Sequence, residues 1–245
     1  MENNHTTFSD SHSVWKNARK IWYDSLNALS ELSRIEQTWR IFWLLGPFIL
    51  LVERSPADAW ITIICIGFIF HSVKSNQRHF LNTFWVKAAF IFWGVCLISA
   101  AFSKIPLYSF TEAFIWFRFP LFAMASVFWL GADKRFIYAM LATTTIALLI
   151  MCLILLAELY FVGQINGRLS WPYGDLTSGN YLAKVGLPAF IVMAALAVSA
   201  RRNIANVAIL LLLLTLIFCL LTGERMNFIL CSCFSTLACL MWRPN

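Results

Sequence analysis

The chain predicts an all-α fold, a polytopic bundle of about eight transmembrane helices with both termini cytoplasmic. Three observations lead there. The first is composition: of 245 residues, 60% are hydrophobic and 13% charged, with 22 Phe and 11 Trp. A soluble domain is about 45–50% apolar and about 25% charged, and a globule of this length buries only about 70–75% of its surface. The second is run length, since stretches such as Ala205 to Leu221 carry no charge. The third is the spacing of Lys and Arg, which fall in pairs and singly at alternate breaks between apolar runs. Together these exclude a soluble enzyme, a disordered chain and a secreted disulfide scaffold.

Residues 1–38 read as a cytoplasmic polar and amphipathic segment. No apolar core follows the start, so no signal peptide is expected. Trp15, Ala18, Trp22, Leu26 and Leu29 recur at steps of three and four beside Lys16, Arg19 and Lys20. That pattern fits a helix lying in the membrane surface, and equally a solvated linker helix. Asn4-His5-Thr6 matches a glycosylation acceptor, but a cytoplasmic position leaves it unused.

Residues 39–245 read as the transmembrane domain. A bilayer core of about 30 Å takes roughly 20 apolar residues per helix. The candidate spans are Trp39–Val52, Ala57–Val73, Phe84–Phe102, Ala113–Leu130, Phe136–Leu156, Val185–Ala200, Ile204–Leu221 and Phe228–Trp242. The first is short and contains Gly46-Pro47. It ends at Glu53-Arg54-Ser55-Pro56, where adjacent charges and a proline stop a helix.

Orientation follows from the cations. Lys16, Arg19, Lys20, Arg34 and Arg40, then Lys74 with Arg78, Lys134 with Arg135, Arg201 with Arg202, and Arg243 mark the cytoplasmic side. Arg54, Lys104, Arg168, Lys184 and Arg225 mark the other. The sizeable loop at about 158–184 therefore faces outward, with Gly, Pro, Asn and Asp for turns and Trp171 and Tyr173 for the interface.

The seven Cys each lie in an apolar stretch and read as small core filler, with neither disulfide nor metal spacing. No metal and no cofactor is expected. The net charge of +7 is dispersed between apolar runs, so it reads as topology rather than as a nucleic-acid surface.

Charges inside apolar runs ask for a reason. Arg118 sits in a span, six residues or about 9 Å past Glu112. A cation at mid-bilayer costs at least about 2.5–3.5 kcal/mol, somewhat less at a shallower depth. Arg118 is either half of a packing ion pair with Glu112 or a guanidinium facing an anion in an aqueous pocket. Arg225, in Leu221-Thr-Gly223-Glu224-Arg225, is either part of a plain hairpin turn paired with Glu224 or a phosphate ligand beside a helix N-terminus. Arg118, Arg168, Lys184 and Arg225 share one side, which suits a lipid-linked diphosphate. A structural subunit whose arginines merely pair with Glu112 and Glu224 is the alternative, as is a transporter with Arg118 lining its path.

Gly167-Arg168-Leu-Ser-Trp-Pro172-Tyr-Gly-Asp-Leu-Thr-Ser-Gly-Asn180-Tyr-Leu-Ala-Lys184-Val-Gly-Leu-Pro188, together with Leu221-Thr-Gly-Glu-Arg225, resembles the outer Arg loop and the later Arg turn of the bacterial O-antigen ligase/polymerase family. The resemblance spans roughly 39–242. It implies a metal-independent glycosyltransferase of the bacterial inner membrane. Such an enzyme moves a glycan from undecaprenyl diphosphate to lipid A–core or another lipid or glycan acceptor. The same family includes O-antigen and exopolysaccharide polymerases, and a non-catalytic carrier-lipid binder is a further alternative. By resemblance, Arg225 and Arg168 hold the diphosphate, with Arg118 and Lys184 in support. Family members continue to about a dozen spans, with an outer loop bearing a further Arg and a His that activates the acceptor. His5, His12, His71 and His79 all fall on the cytoplasmic side here, so the expectation is an N-terminal portion of such a protein, with Asp175 and Glu224 as the nearest outer carboxylates.

Overall fold

A computed structural model describes residues 23–52, 54–76, 79–164, 168–170, 202–223 and 225–241. The expected span Val185–Ala200 and Lys184 lie outside these residues, as do Asp175, Glu224 and most of the N-terminal segment. The described chain is helical almost throughout. The helices are α1 (Arg34–Leu44), α2 (Gly46–Val52), α3 (Arg54–Lys74), α4 (Phe84–Ala101), α5 (Pro106–Trp116) and α6 (Arg118–Ala125). A π turn (Ser126–Leu130) extends α6, and α7 (Lys134–Phe161), α8 (Arg202–Leu221) and α9 (Arg225–Met241) follow.

Among the described residues, four stretches are long and apolar enough to cross a membrane: Ser55–Lys74, Phe84–Ala101, Pro106–Leu130 and Lys134–Phe161. A fifth arises if α1 and α2, which meet at 47°, form one broken span. The apolar parts Ala205–Leu221 and Phe228–Leu237 are shorter. Large apolar side chains line the outside: Phe84, Phe102 and Leu107 are 83–87% exposed. Within α4 only Val86 and Ala100 are buried. Soluble monomers rarely present contiguous apolar patches beyond a few hundred Å², so this surface belongs against lipid.

Most of the described helices begin earlier than hydropathy places the spans, by two to seven residues. The fourth starts at Pro106 rather than Ala113, because Pro at the first helical position has no N–H to orphan. It breaks at Phe117, three residues before Pro120, whose missing N–H would have bonded to the Trp116 carbonyl. The span expected over Phe136–Leu156 runs Lys134–Phe161, 28 residues or about 42 Å, well over the hydrocarbon thickness. Asp133 starts it by accepting the Arg135 backbone N–H at 2.9 Å. Residues 23–30 are helical and lie against its first turn, with Ala28 buried and the Ser25 hydroxyl donating to the Arg135 carbonyl at 3.1 Å.

Ring contacts fix how the helices run. Phe92 meets Trp116 and Trp93 meets Phe114, so α4 and α5 are antiparallel. Trp60 meets Phe122 and Phe68 meets Trp129, so α3 runs parallel to α6 and its π turn. Two cores result. One is aromatic, built on Trp43, Trp60, Phe68, Trp129 and Phe136. The other is aliphatic, built on Leu148, Met151, Leu155, Leu169 and Phe218, with Cys152, Cys219 and Cys231 filling between them. Helix α2 joins the two, since Ile49 packs on the first while Phe48, Leu50 and Leu51 pack on the second.

The bend between α1 and α2 has a specific cause. Pro47 cannot continue the ladder, and the Trp60 indole donates at 2.8 Å to the Phe42 carbonyl in the last turn of α1. A Cβ on Gly46 would stand 1.9 Å from the Trp60 ring. Only glycine lets that ring wedge into the bend.

Candidate functional site

The end of the bundle where α7 finishes and α8 turns into α9 gathers two of the sequence-derived cations. Helix α7 closes at Glu158, whose carbonyl accepts the Val162 and Gly163 N–H groups, both at 2.9 Å. The Glu158 side chain is fully buried. Its two carboxylate oxygens accept the Ser170 backbone N–H at 2.8 and 3.0 Å, and the Ser170 hydroxyl donates to one of them at 3.3 Å. A buried carboxylate is tolerated only when hydrogen-bonded, and here the bonds tie the segment 168–170 to the end of α7. Leu169, 1% exposed, anchors in the aliphatic core, and its N–H donates to the Leu221 carbonyl at 2.9 Å.

Arg168 directly precedes those two anchors. Gly223 has φ +81° and ends α8 in the left-handed region. A Cβ there would lie 2.7 Å from Arg168 Nε, 3.0 Å from its Cδ and 3.1 Å from its Cζ. The guanidinium therefore rests on the bare glycine backbone, two residues before Arg225 opens α9. Both arginines are exposed, and no described carboxylate pairs with either. Beneath them Thr222 is buried, its hydroxyl donating to the Cys219 carbonyl. Arg168 thus lies against the turn from which Arg225 opens α9, two permanently charged residues near one turn, and guanidinium forks are suited to phosphate oxygens.

Arg118 is placed otherwise. Its Nη2 donates at 2.9 Å to Asp58 Oδ1, one turn into α3, while Glu112 stands exposed. The guanidinium also covers the Phe119 ring at 5.0 Å, and the Arg118 carbonyl accepts the Cys65 thiol at 3.2 Å. Of the two readings of Arg118, the ion pair is seen, but across helices: Glu112 is near in sequence, while Asp58 is near in space because α3 and α6 run side by side. Asp58 carries a sequence signal of its own, a carboxylate inside an apolar run at the depth that parity assigns to Arg118.

Two residues that the sequence reading took only as marks of the cytoplasmic side pack into the bundle. Arg40 is 9% exposed, lies over the Phe136 ring at 4.7 Å and keeps its Nε without a hydrogen-bond partner. His71 stacks on Trp129 at 4.9 Å. Among the described residues no three His, Cys, Asp or Glu stand together as a metal site. Comparison of the chain with family models, with curated proteins and with solved structures finds no match in any of the three.

Proposed function

We propose that the protein is an integral glycosyltransferase of the O-antigen ligase and polymerase kind, resident in the bacterial inner membrane. It handles a glycan carried on undecaprenyl diphosphate and passes it to a lipid or glycan acceptor. The observation that carries the reading is the seat of Arg168 on Gly223 beside Arg225. In glycan transfer from a polyprenyl carrier, the bond broken is the sugar–phosphate bond and the leaving group is a diphosphate. Charge develops on its oxygens, and fixed guanidinium groups stabilise it without a metal. Each fork offers paired donors matched to phosphate geometry. In this scheme Arg168 and Arg225 grip the diphosphate, and Lys184, outside the described residues, supports them.

The reading assigns Arg118 a structural role. Its pairing with Asp58 weighs against a transport path built around it, although the pair engages Nη2 and leaves Nε without a hydrogen-bond partner. Polymerase and ligase differ only in acceptor, which this end of the bundle does not distinguish.

Binding of undecaprenyl diphosphate to the purified full chain tests the proposal. Arg168→Ala and Arg225→Ala should each weaken it by about 10- to 100-fold, the worth of a charge-assisted hydrogen bond. Unchanged affinity in both would overturn the proposal. Orientation has a separate check: a cysteine at Ser178 should be labelled from outside the cell and one at Ser75 spared.

A further inference from the structure

The opposite end of the bundle holds a built cavity that the diphosphate site does not use. It measures about 780 Å³ and lies between the start of α1 and the second half of α3, within the range of about 300–1,000 Å³ typical of small-molecule sites. Two irregularities shape its wall. A Cβ on Gly67 would sit 2.5 Å from the Trp39 ring, so the glycine lets that indole close against α3. The π turn, closed by the Gly131 N–H donating to the Ser126 carbonyl at 2.9 Å, sets Trp129 against His71 and 5.3 Å from Trp39. Such single π turns are rare and concentrate at functional sites.

The polar groups on this wall are of opposite sign. Glu36 stands in the first turn of α1, where the Ser33 hydroxyl accepts its backbone N–H. Lys74 ends α3. Both line the cavity, and Ile63, Ile66 and Phe70 continue it as an apolar surface along α3. The cavity head carries one carboxylate and one ammonium, with His71 stacked over the buried Trp129 and the half-buried Trp39 beside them, and it opens onto an apolar groove; these define a ligand with a cationic amine for Glu36, a phosphate for Lys74 and an alkyl chain for the groove. A purely anionic headgroup would set like charge against Glu36.

We propose that this cavity is a binding site for a zwitterionic amino-phospholipid of the leaflet at that end, its ammonium held by Glu36 and its phosphate by Lys74. The assignment is independent of the diphosphate reading. Native mass spectrometry of the purified full chain, titrated with phosphatidylethanolamine or phosphatidylglycerol of matched acyl chains, tests it. The wild type should retain phosphatidylethanolamine about tenfold better, as expected for one charged hydrogen bond. Glu36→Gln should erase that preference and Lys74→Ala should weaken both lipids. Ile66→Trp, which fills the groove, should weaken both as well. Equal retention of the two lipids by the wild type, or a preference that survives Glu36→Gln, would overturn the assignment.

Discussion

Gly223→Ala isolates the contact on which the candidate site rests. The substitution does two things at once. It places an L residue at φ +81°, a left-handed conformation costing about 1–2 kcal/mol. It also puts a methyl 2.7 Å from Arg168 Nε, so the guanidinium must retreat by several tenths of an ångström to reach ordinary contact. Gly163 supplies the control. It has φ +78° but open space where its Cβ would go. Gly163→Ala should therefore lose the same 1–2 kcal/mol or so of stability and leave Arg168 where it is. Thermal unfolding of both variants in detergent, with undecaprenyl diphosphate binding measured on each, separates strain from displacement. Both should melt earlier to a similar extent, and only Gly223→Ala should bind about 10-fold or more weakly, through loss of a charge-assisted contact. Equal binding losses in the two variants, or wild-type binding by Gly223→Ala, would refute the reasoning.

Other consequences follow from the packing. A double-mutant cycle on Asp58→Asn and Arg118→Gln, read by unfolding, should show coupling of about 0.6–1.7 kcal/mol, the range for polar pairs between membrane helices; diphosphate affinity should be unchanged in either variant. Gly46→Ala drives a methyl into the Trp60 ring and should destabilise by about 1–3 kcal/mol as an overpacked core does, whereas Gly94→Ala, with open space at its Cβ, should be neutral or mildly stabilising. Asp133 gives an acid-side dependence. The Arg135 side chain hydrogen-bonded to it, at 2.8 Å, holds its carboxyl below the ordinary value, and the Arg135 backbone N–H adds to this. With the folded value depressed, its contribution is present above about pH 4 and fades as pH falls below that. Asp133→Ala should cost about 1 kcal/mol near neutrality, as a lost helix cap, and should flatten the stability profile below about pH 4.

How much of this was legible beforehand depends on whether the signal was local. The helical bundle was, because composition and uninterrupted apolar runs are properties of each segment alone. So was the turn at Gly223, marked by a glycine and two charges between apolar stretches, and Gly46-Pro47 marked the bend. The start at Pro106 was missed because Tyr108, Ser109, Thr111 and Glu112 depress the apolar average over a turn that proline nevertheless begins. The π turn leaves no periodic trace. Of the two readings open for Arg118, an ion pair and a free guanidinium, the pair forms, but with Asp58 and not Glu112, because nearness in space and not in sequence decides it. The seat of Arg168 depends on two non-local ties, Ser170 to Glu158 and Leu169 to Leu221, which no spacing rule supplies. Glu158 itself reads as the polar end of a span, and only its complete burial marks it as the clasp of that loop.

Determining the structure of the full chain in a lipid nanodisc with undecaprenyl diphosphate bound addresses the central claim most directly. The diphosphate oxygens should lie at charge-assisted hydrogen-bond distance, about 2.7–2.9 Å, from the guanidinium groups of both Arg168 and Arg225, with the Arg118–Asp58 pair intact. A headgroup bound elsewhere, or held by one of the two arginines while the other turns to solvent, would contradict it.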